Sequence, residues 1–279
     1  MLRHVNRLRS AVYGIAIGDA LGLPVQFQSR DSYPEVTEMI KGELPWPAGT
    51  WSDDTSLTLA TVDSLLTCEG VDVPDMRARF MDWMDNGAYT QDGEAFDQGF
   101  TTVHALTHGR GCTNEQSNGN GSLMRILPLA FVKNLSDEQI AQVSGITHAH
   151  PLSVEACTVY VHAAQLILDG FSLTEALETA SLSSEIFSYL ADIGSKKRNE
   201  IRSTGYVKDS LEASFWGLLT TDNFRDALIR AVNLGDDTDT IGAITGGMAG
   251  LVYGMESVPD SWMNALRKKE IIERCLASQ

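Results

Sequence analysis

The sequence predicts an all-α fold, and three features of its residue pattern support this prediction. Apolar residues recur at helical spacing in several windows of the 279-residue chain. Short alternating runs closed by Asn-Gly-type turns, which would indicate strands, are scarce. Helix-start signals are frequent. Because no low-complexity linker, charge block or fixed-period repeat divides the chain, we expect a single domain over residues 1–279, built from roughly a dozen helices.

Four stripes of residues carry the helical periodicity. They are Leu8, Val12, Ile15 and Ala16; Leu57, Ala60, Thr61, Ser64 and Leu65; Val154, Cys157, Val161, Ala164, Gln165 and Leu168; and Ala227, Leu228, Ala231 and Leu234. Three further segments contain start signals: Asp75 follows Pro74, while Ser136 and Ser172 each begin a capping-box pattern. These signals predict helices beginning at all three places.

Two of the predicted helices contain glycines spaced four residues apart. The glycines are Gly14, Gly18 and Gly22 in the first, and Gly242, Gly246, Gly250 and Gly254 in the second. A glycine inside a helix costs about 1 kcal/mol relative to alanine, so such a row indicates that another helix backbone passes close by. Both helices also carry acidic residues at an end or in an apolar setting. We therefore expect them to be central and to lie near a functional site.

The charge balance narrows the classes of partner. Lys and Arg total 21 and Asp and Glu total 37, a net charge of −16. Nucleic acids and anionic membranes are bound by clustered positive charge, so neither is an expected partner. A strongly acidic chain is better suited to bind divalent cations.

The cysteines and the apolar segments indicate a cytoplasmic protein. Cys68, Cys112, Cys157 and Cys275 form no CxxC pair, which disfavours a disulfide framework or a thiolate zinc site. Asp19 interrupts the apolar part of the N-terminal segment, so a signal peptide is not expected. The longest apolar run, residues 241–255, is shorter than the roughly 20 residues of a membrane span.

A first acidic cluster, Ser52-Asp53-Asp54, precedes an apolar helical segment. Adjacent carboxylates at a helix start have two explanations that the sequence leaves open. They could cap the helix and interact with its dipole. They could also be ligands of a metal ion, although the cluster taken alone favours the cap.

A second acidic cluster favours the metal. Asp236, Asp237 and Asp239, with Thr238 and Thr240, place three carboxylates and two hydroxyls beside a very apolar segment. One carboxylate suffices for a cap, and three together repel one another unless a cation neutralises them. A set made only of oxygen selects Mg²⁺, Mn²⁺ or Ca²⁺ over Zn²⁺. The two clusters could together hold two ions about 3.5–4 Å apart.

Three further segments give weaker signals. The glycine-rich turn at residues 118–122 runs into a predicted helix and would suit an anion such as phosphate, although a plain loop explains it as well. Residues 96–102 and 147–151 lack metal spacing of their own, and a histidine near a turn is more often structural. No serine lies in a GxSxG elbow.

Taken in order, these segments resemble the ADP-ribosylglycohydrolase family, which includes the dinitrogenase reductase-activating glycohydrolases. The resemblance covers nearly the whole chain. It is carried by GDALG at 18–22, SDDTSL at 52–57, FDQGFTT at 96–102, GNGSLMR at 119–125, THAHP at 147–151, TGYV at 204–207 and NLGDDTDTIGAITG at 233–246. The last motif is highly specific, whereas GDALG alone is weak.

The resemblance implies a single-domain orthogonal helix bundle with a binuclear magnesium or manganese centre. The implied metal ligands are Ser52, Asp53, Asp54, Asp237, Asp239 and Thr240. The implied catalytic carboxylates are Asp53, Asp54 and Asp97. The implied substrate-binding residues are Gln26, Gly99, Gly119, Asn120, Gly121, Ser122, His150 and Tyr206, with residues 119–122 along the phosphates.

The resemblance further implies hydrolytic removal of ADP-ribose from a modified protein side chain or a small ADP-ribosyl conjugate. The metals would hold the distal ribose while water, deprotonated by a carboxylate, attacks its anomeric carbon. Many relatives have glutamate where this chain has Gln26, and the serine-specific branch is thought to use that glutamate chemically. Glutamine cannot carry protons in this way, so an arginine linkage is favoured.

Two other functions stay open at this point. A catalytically silent module would bind ADP-ribose or a nucleotide without cutting it, but such members usually lose acidic ligands that are all present here. A two-metal phosphohydrolase would break the pyrophosphate instead of the glycosidic bond. Only product analysis separates this last alternative from the predicted hydrolase.

Overall fold

The structure, a computed structural model, describes residues 2–43 and 45–277 and confirms the all-α prediction. Residues 1, 44, 278 and 279 of the predicted 1–279 domain lie outside the described residues. Within the described ranges there are twelve α-helices and seven short 3₁₀ helices, and no strand. The α-helices are α1 (Val5–Gly22), α2 (Asp53–Thr67), α3 (Val73–Asn86), α4 (Phe100–His108), α5 (Asp137–Ser144), α6 (Pro151–Leu168), α7 (Leu173–Leu182), α8 (Val207–Leu219), α9 (Phe224–Val232), α10 (Thr238–Tyr253), α11 (Asp260–Ala265) and α12 (Lys269–Leu276).

The helix-start signals explain where three of these helices begin. Ser136 and Ser172 each form a complete capping box, as predicted, at the starts of α5 and α7. Helix α3 begins at Val73, earlier than Pro74-Asp75 suggested. Asp72 is its cap, because the Asp72 side chain accepts the backbone N–H of Asp75 at 2.9 Å. The N-cap, Asp72, therefore lies three residues before Asp75, the residue that the sequence pattern indicated.

The two glycine-rich helices, α1 and α10, pack against each other, as their spacing predicted. Their contact is the most extensive between any two elements described. A Cβ added to Gly18 would lie 1.9 Å from the carbonyl oxygen of Gly242, and one on Gly14 would lie 2.0 Å from that of Gly246. No side chain fits at such distances, so the two antiparallel backbones touch directly.

The glycine row of α10 ends at Gly250. A Cβ on Gly250 would lie 2.2 Å from the carbonyl oxygen of Ser10, which continues the contact along α1. Gly254 takes no part in it. This residue follows the end of α10 with φ +79°, a conformation that glycine adopts readily, and a Cβ there would meet the carboxylate of Glu256.

The buried apolar side chains form one continuous cluster that includes residues of α1, α2, α6, α8, α9 and α10. Helix α6 is long and apolar enough to cross a membrane by length and composition, but 56% of it is buried inside the fold. Core helices of soluble proteins meet the same criterion. The longest apolar run lies mostly in α10, whose residues 238–251 are all buried. The acidic segments lie at the ends of these central helices.

Candidate metal centre and substrate cleft

Three buried carboxylates meet where the C-terminal end of α1 faces the N-terminal ends of α2 and α10. Oxygen atoms of Asp19, Asp54 and Asp239 all lie within 4.8 Å of one another. Each of these residues is at most 1% exposed. The close packing of Gly18 and Gly22 against α10 brings Asp19 to this point. The arrangement has the oxygen-only character that hard divalent cations prefer.

Asp19 anchors the start of α2. Its Oδ1 accepts the Ser52 N–H at 3.0 Å. Its Oδ2 accepts the N–H of Ser52 at 2.9 Å and the N–H and hydroxyl of Thr55 at 3.1 and 2.6 Å. Sequence reasoning missed Asp19 as a site residue, although a charged side chain among the glycines of an apolar helix was a usable signal.

Asp54 and Asp239, in contrast, offer free oxygens. Among the described residues, Asp54 Oδ1 and both carboxylate oxygens of Asp239 are buried without a hydrogen-bond partner. Burying an unpaired carboxylate is costly unless a cation or a donor compensates it. The residues therefore fit a hard metal ion, and Asp19 holds the start of α2, from which Asp54 projects, through its bonds to Ser52 and Thr55.

The alternative explanation, that the acids are helix caps, fits the structure poorly. The N-cap of α2 is Ser52, whose hydroxyl accepts the Asp54 N–H at 3.4 Å. Asp237 occupies the N-cap position of α10 but makes no side-chain capping hydrogen bond there. Its Oδ2 instead accepts from Asn120 Nδ2 at 2.5 Å. Thr240 Oγ1 lies 3.3 Å from Asp54 Oδ2, which links the two acidic segments directly.

The electrostatics of the protein chain alone disfavour ionised carboxylates here. Burial raises the pKa of Asp19 to about 7, although its hydrogen bonds to Ser52 and Thr55 oppose the shift. Burial also raises the pKa of Asp237, and that of Asp53, Asp54 and Asp239 well above the usual range. In these last three the charges of neighbouring carboxylates add to the effect of burial. A bound cation would reverse this balance.

A cleft of about 260 Å³ opens beside the buried carboxylates. It is lined by Gln26, Phe27, Asp53, Asp97, Gly99, Phe100, Thr101, Thr102, Gly119, Asn120, Gly121, Met124, His148, Gly205, Asp237 and Thr240. Three of these residues belong to the two acidic segments, so the cleft ends at the predicted metal centre. A larger surface groove of about 860 Å³, lined by Trp216 and Arg230 among others, contains none of the predicted site residues.

The structure brings most of the predicted site residues to this cleft. Among the predicted substrate-binding residues, those in its wall are Gln26, Gly99, Gly119, Asn120 and Gly121. Two of the predicted catalytic carboxylates, Asp53 and Asp97, also line it, whereas Asp54 faces the buried group. Gln26 Nε2 donates a hydrogen bond of 2.6 Å to Asp97 Oδ2. The predicted substrate-binding residue Gln26 and the predicted catalytic residue Asp97 are thus direct neighbours.

Three predicted substrate-binding residues do not lie in the cleft wall. Ser122 is buried, and its hydroxyl bonds to Ser144 at 2.9 Å. The turn before it leads only into a three-residue 3₁₀ helix instead of a regular helix. His150 caps α6, because its Nδ1 accepts the Leu152 N–H at 3.2 Å. Tyr206 is 41% exposed at the start of α8, where its backbone pairs with that of Gly119.

His148, two residues earlier in the same motif, lines the cleft in place of His150. It is 2% exposed, and its ring lies against the glycine-rich turn. A Cβ on Gly121 would lie 2.8 Å from the His148 Cε1 atom. Burial, followed by the charge of Arg125, lowers the pKa of His148 to about 3, so the ring is neutral. The proline after His150 was a signal for a helix start, which would have separated the two histidines.

Comparisons with known proteins agree with this geometry. Residues 2–279 match the family model described as ADP-ribosylglycohydrolase. An ADP-ribosylarginine hydrolase of Serratia proteamaculans is 33% identical over 290 residues, which cover 99% of this chain and 79% of that protein. An ADP-ribosyl-[dinitrogen reductase] glycohydrolase of Rhodospirillum rubrum is 29% identical over 291 residues, which cover 98% of this chain and 94% of that protein. A solved structure titled ADP-ribosylglycohydrolase-related protein complex superposes with a TM-score of 0.81 at 30% identity, over 98% of this chain and 97% of that one. With a match over nearly its full length, this chain belongs to the ADP-ribosylglycohydrolase family.

Proposed function

We propose that this protein hydrolyses the bond between ADP-ribose and an arginine side chain, with two Mg²⁺ or Mn²⁺ ions at its acidic centre. The observation that carries the proposal is the cleft that ends at buried carboxylates with unpartnered oxygens. The relative from Serratia proteamaculans, which is named for ADP-ribosylarginine, supports the choice of linkage. We place the protein in the cytoplasm, where ADP-ribosylated proteins or small ADP-ribosyl conjugates would be its substrates.

The residues that would hold the ions are those of the two acidic segments. They are Ser52, Asp53, Asp54, Asp237, Asp239 and Thr240. Two bound ions would supply positive charge that polarises water and substrate oxygens. Asp19 would hold the first segment in place through its bonds to Ser52 and Thr55.

The position of each carboxylate suggests its part in the reaction. Water adds to the anomeric carbon of the ribose, the carbon–nitrogen bond to the guanidine breaks, and the guanidine nitrogen gains a proton. Asp53 and Asp97 line the cleft and are the carboxylates placed to accept the proton that water loses. Asp54 lies behind them with Asp19 and Asp239, so we assign it to the metal. The Gln26 amide orients Asp97 through its hydrogen bond.

The glycine-rich turn would hold the pyrophosphate. Gly119 and Gly121 line the cleft beside the neutral His148 ring, so backbone and imidazole N–H groups are available to anionic oxygens. Asn120 lies between these glycines, and its side chain donates to Asp237 Oδ2. Its backbone N–H also donates to the Gly205 carbonyl at 3.0 Å. The turn and the second acidic segment are therefore fixed relative to each other.

One experiment separates the proposal from its alternatives. The protein is incubated with Mg²⁺ and with arginine-linked, serine-linked or acetyl-linked ADP-ribose, and the products are identified by mass spectrometry. We expect intact ADP-ribose and unmodified arginine. Formation of AMP would indicate a phosphohydrolase, and binding without turnover would indicate a silent binding module. The Asp239→Asn variant is the control for a contaminating activity.

A further inference from the structure

A buried row of polar contacts leads from the core to the cleft. Arg125 Nη2 donates to Thr147 Oγ1 at 2.9 Å, and Thr147 Oγ1 lies 2.8 Å from His148 Nδ1. Arg125 and Thr147 are fully buried, and His148 is 2% exposed. The far side of the His148 ring lines the cleft. None of the steps proposed above uses Arg125 or Thr147.

The donors in this row fix the direction of its hydrogen bonds. A guanidinium group only donates, so Arg125 occupies a lone pair of Thr147 Oγ1. A second lone pair of Oγ1 remains, but the buried hydroxyl must also give its one proton to an acceptor, and among the described residues His148 Nδ1 is the acceptor within hydrogen-bond distance of it. Nδ1 of a neutral ring that accepts a hydrogen bond carries no proton. The ring proton therefore resides on Nε2.

Nε2 is the nitrogen that faces the glycine-rich turn. A Cβ on Gly121 would lie 3.3 Å from His148 Nε2, and one on Gly119 would lie 3.6 Å from it. Larger residues at these positions would crowd the nitrogen, whereas the glycines leave it open to the cleft. An N–H group on Nε2 would thus point to the place assigned above to anionic oxygens.

Arg125 is poorly explained as a structural ion-pair partner. In the described part of the chain its guanidinium contacts no carboxylate, and its Nε and Nη1 atoms have no hydrogen-bond partner. It lies 4.4 Å over the ring of Phe80, and its other hydrogen bond goes to the Val143 carbonyl at 3.3 Å. Its positive charge also disfavours protonation of His148. A charged donor strengthens the hydrogen bond to Thr147, and this is a functional reason for burying the Arg125 guanidinium despite the cost in free energy.

We propose that Arg125 and Thr147 are positioning residues that hold His148 as the Nε2–H tautomer, ready to donate to an anionic oxygen of the ligand at the glycine-rich turn. The identity of that ligand, the ADP-ribosyl group, rests on the proposed function. The tautomer does not rest on it, because it follows from the hydrogen bonds within the chain.

Two substitutions of the middle residue test the proposal. Thr147→Val keeps the shape and removes the hydroxyl, while Thr147→Ser keeps the hydroxyl. ¹⁵N NMR of the imidazole distinguishes the two tautomers in the ligand-free protein. We expect the Nε2–H signature in the wild type and in Thr147→Ser, and loss of this single tautomer in Thr147→Val.

Calorimetry with ADP-ribose and Mg²⁺ then measures the consequence. We expect Thr147→Val to bind roughly tenfold more weakly, the effect of one mispositioned hydrogen bond, and Thr147→Ser to bind within about twofold of the wild type. A wild-type Nδ1–H signature, or Thr147→Val binding as tightly as the wild type, would overturn the positioning role. Failure of the wild type to bind ADP-ribose would instead count against the proposed function. The wild-type spectrum tests the tautomer even if a variant fails to fold.

Discussion

The contact between α1 and α10 has two regions of different character, one lined by glycines and one carrying buried carboxylates. Along most of its length the contact is dry and made of glycine, as at Gly14 and Gly246. At one end the same pair carries Asp19 and Asp239, which are buried within 4.8 Å of each other and of Asp54. Packing in the first region stabilises the fold, whereas repulsion between the carboxylates in the second region destabilises it.

The two regions depend on each other. Because the glycines let the backbones touch, the end of α1 reaches the start of α10, and the carboxylates meet without bulky side chains between them. Stability gained along the glycine contact supports an acidic end that would be unfavourable by itself. Functional sites often carry such a local cost, which the surrounding structure offsets.

The largest effect is expected from a methyl group in the dry region. In Gly18→Ala the new Cβ would lie 1.9 Å from a backbone oxygen of α10, and neither helix can yield without losing its other contacts. We expect a loss of at least about 3 kcal/mol in the free energy of unfolding, measured by urea denaturation. Gly70→Ala is the matched control, since a Cβ at Gly70 meets nothing within 4 Å, and it should change stability by less than about 1 kcal/mol. Equal stability of the two variants would contradict the packing role.

The acidic end should respond in the opposite way. We expect Asp239→Asn to abolish turnover, because a proposed metal ligand is lost, while the metal-free protein stays as stable or becomes more so. Asp72→Ala is the control for a true cap, and it should lose about 1 kcal/mol of stability with its activity unchanged. Thermal unfolding and single-turnover assays measure both variants. If the metal-free Asp239→Asn variant is markedly less stable than the metal-free wild type, these acidic residues have a structural role instead.

The metal-free protein should lose stability as the pH rises. A carboxyl group whose pKa is higher folded than unfolded holds its proton more tightly in the fold. Its stabilising effect is therefore present at low pH and is lost as the pH passes the folded pKa. For Asp19, with a pKa of about 7, the loss between about pH 6.5 and 8.5 is roughly 1 kcal/mol, and the neighbouring acids add to it.

The measurement starts near pH 6.5 because His148 changes the stability in the opposite direction at lower pH. Below about pH 6.5 the unfolded form of His148 gains a proton, whereas burial lowers the pKa of the folded form. Differential scanning fluorimetry follows the melting temperature across the range. Mg²⁺ should restore stability more at the high-pH end than at the low. A metal-free melting temperature that is flat or rises with pH would be incompatible with buried, uncompensated carboxylates.

The smallest effect concerns Gln26, just past the end of α1. The Gln26 amide donates to Asp97, so Gln26→Glu would place two carboxyl groups in contact and favour a shared proton. We expect the wild type to prefer arginine-linked ADP-ribose and the variant to gain at least about tenfold on the serine linkage, within the range of general acid–base catalysis. Initial rates on both linkages measure this. A wild type that already cleaves the two linkages equally fast would contradict it.

The sequence predicted the parts of this site that repeat a chemical type within a short segment. Asp237, Asp239 and Thr240 stand together beside an apolar helix, and the glycine rows of α1 and α10 have a regular period. Both patterns need only local spacing to be recognised. The helical class followed from the same kind of information.

The parts that the sequence did not predict depend on how segments meet. Asp19 becomes a site residue only because α1 ends against Ser52 and Thr55, which are distant in the chain. His148 and His150 are two residues apart, and only the start of α6 decides that His150 caps the helix while His148 faces the cleft. Local signals existed at both places, a charged side chain among glycines and a proline after His150, but tertiary contacts decide what each residue does.

The metal content of the acidic end tests the whole interpretation most directly. Crystals grown with Mn²⁺ and measured at the manganese edge would locate any bound ions by their anomalous scattering. We expect two ions, coordinated only by oxygen and bridged by carboxylates from residues 53–54 and 237–239. The absence of ions there, or a single zinc ion on sulfur or imidazole, would contradict the assignment of this helix end to a two-metal hydrolase.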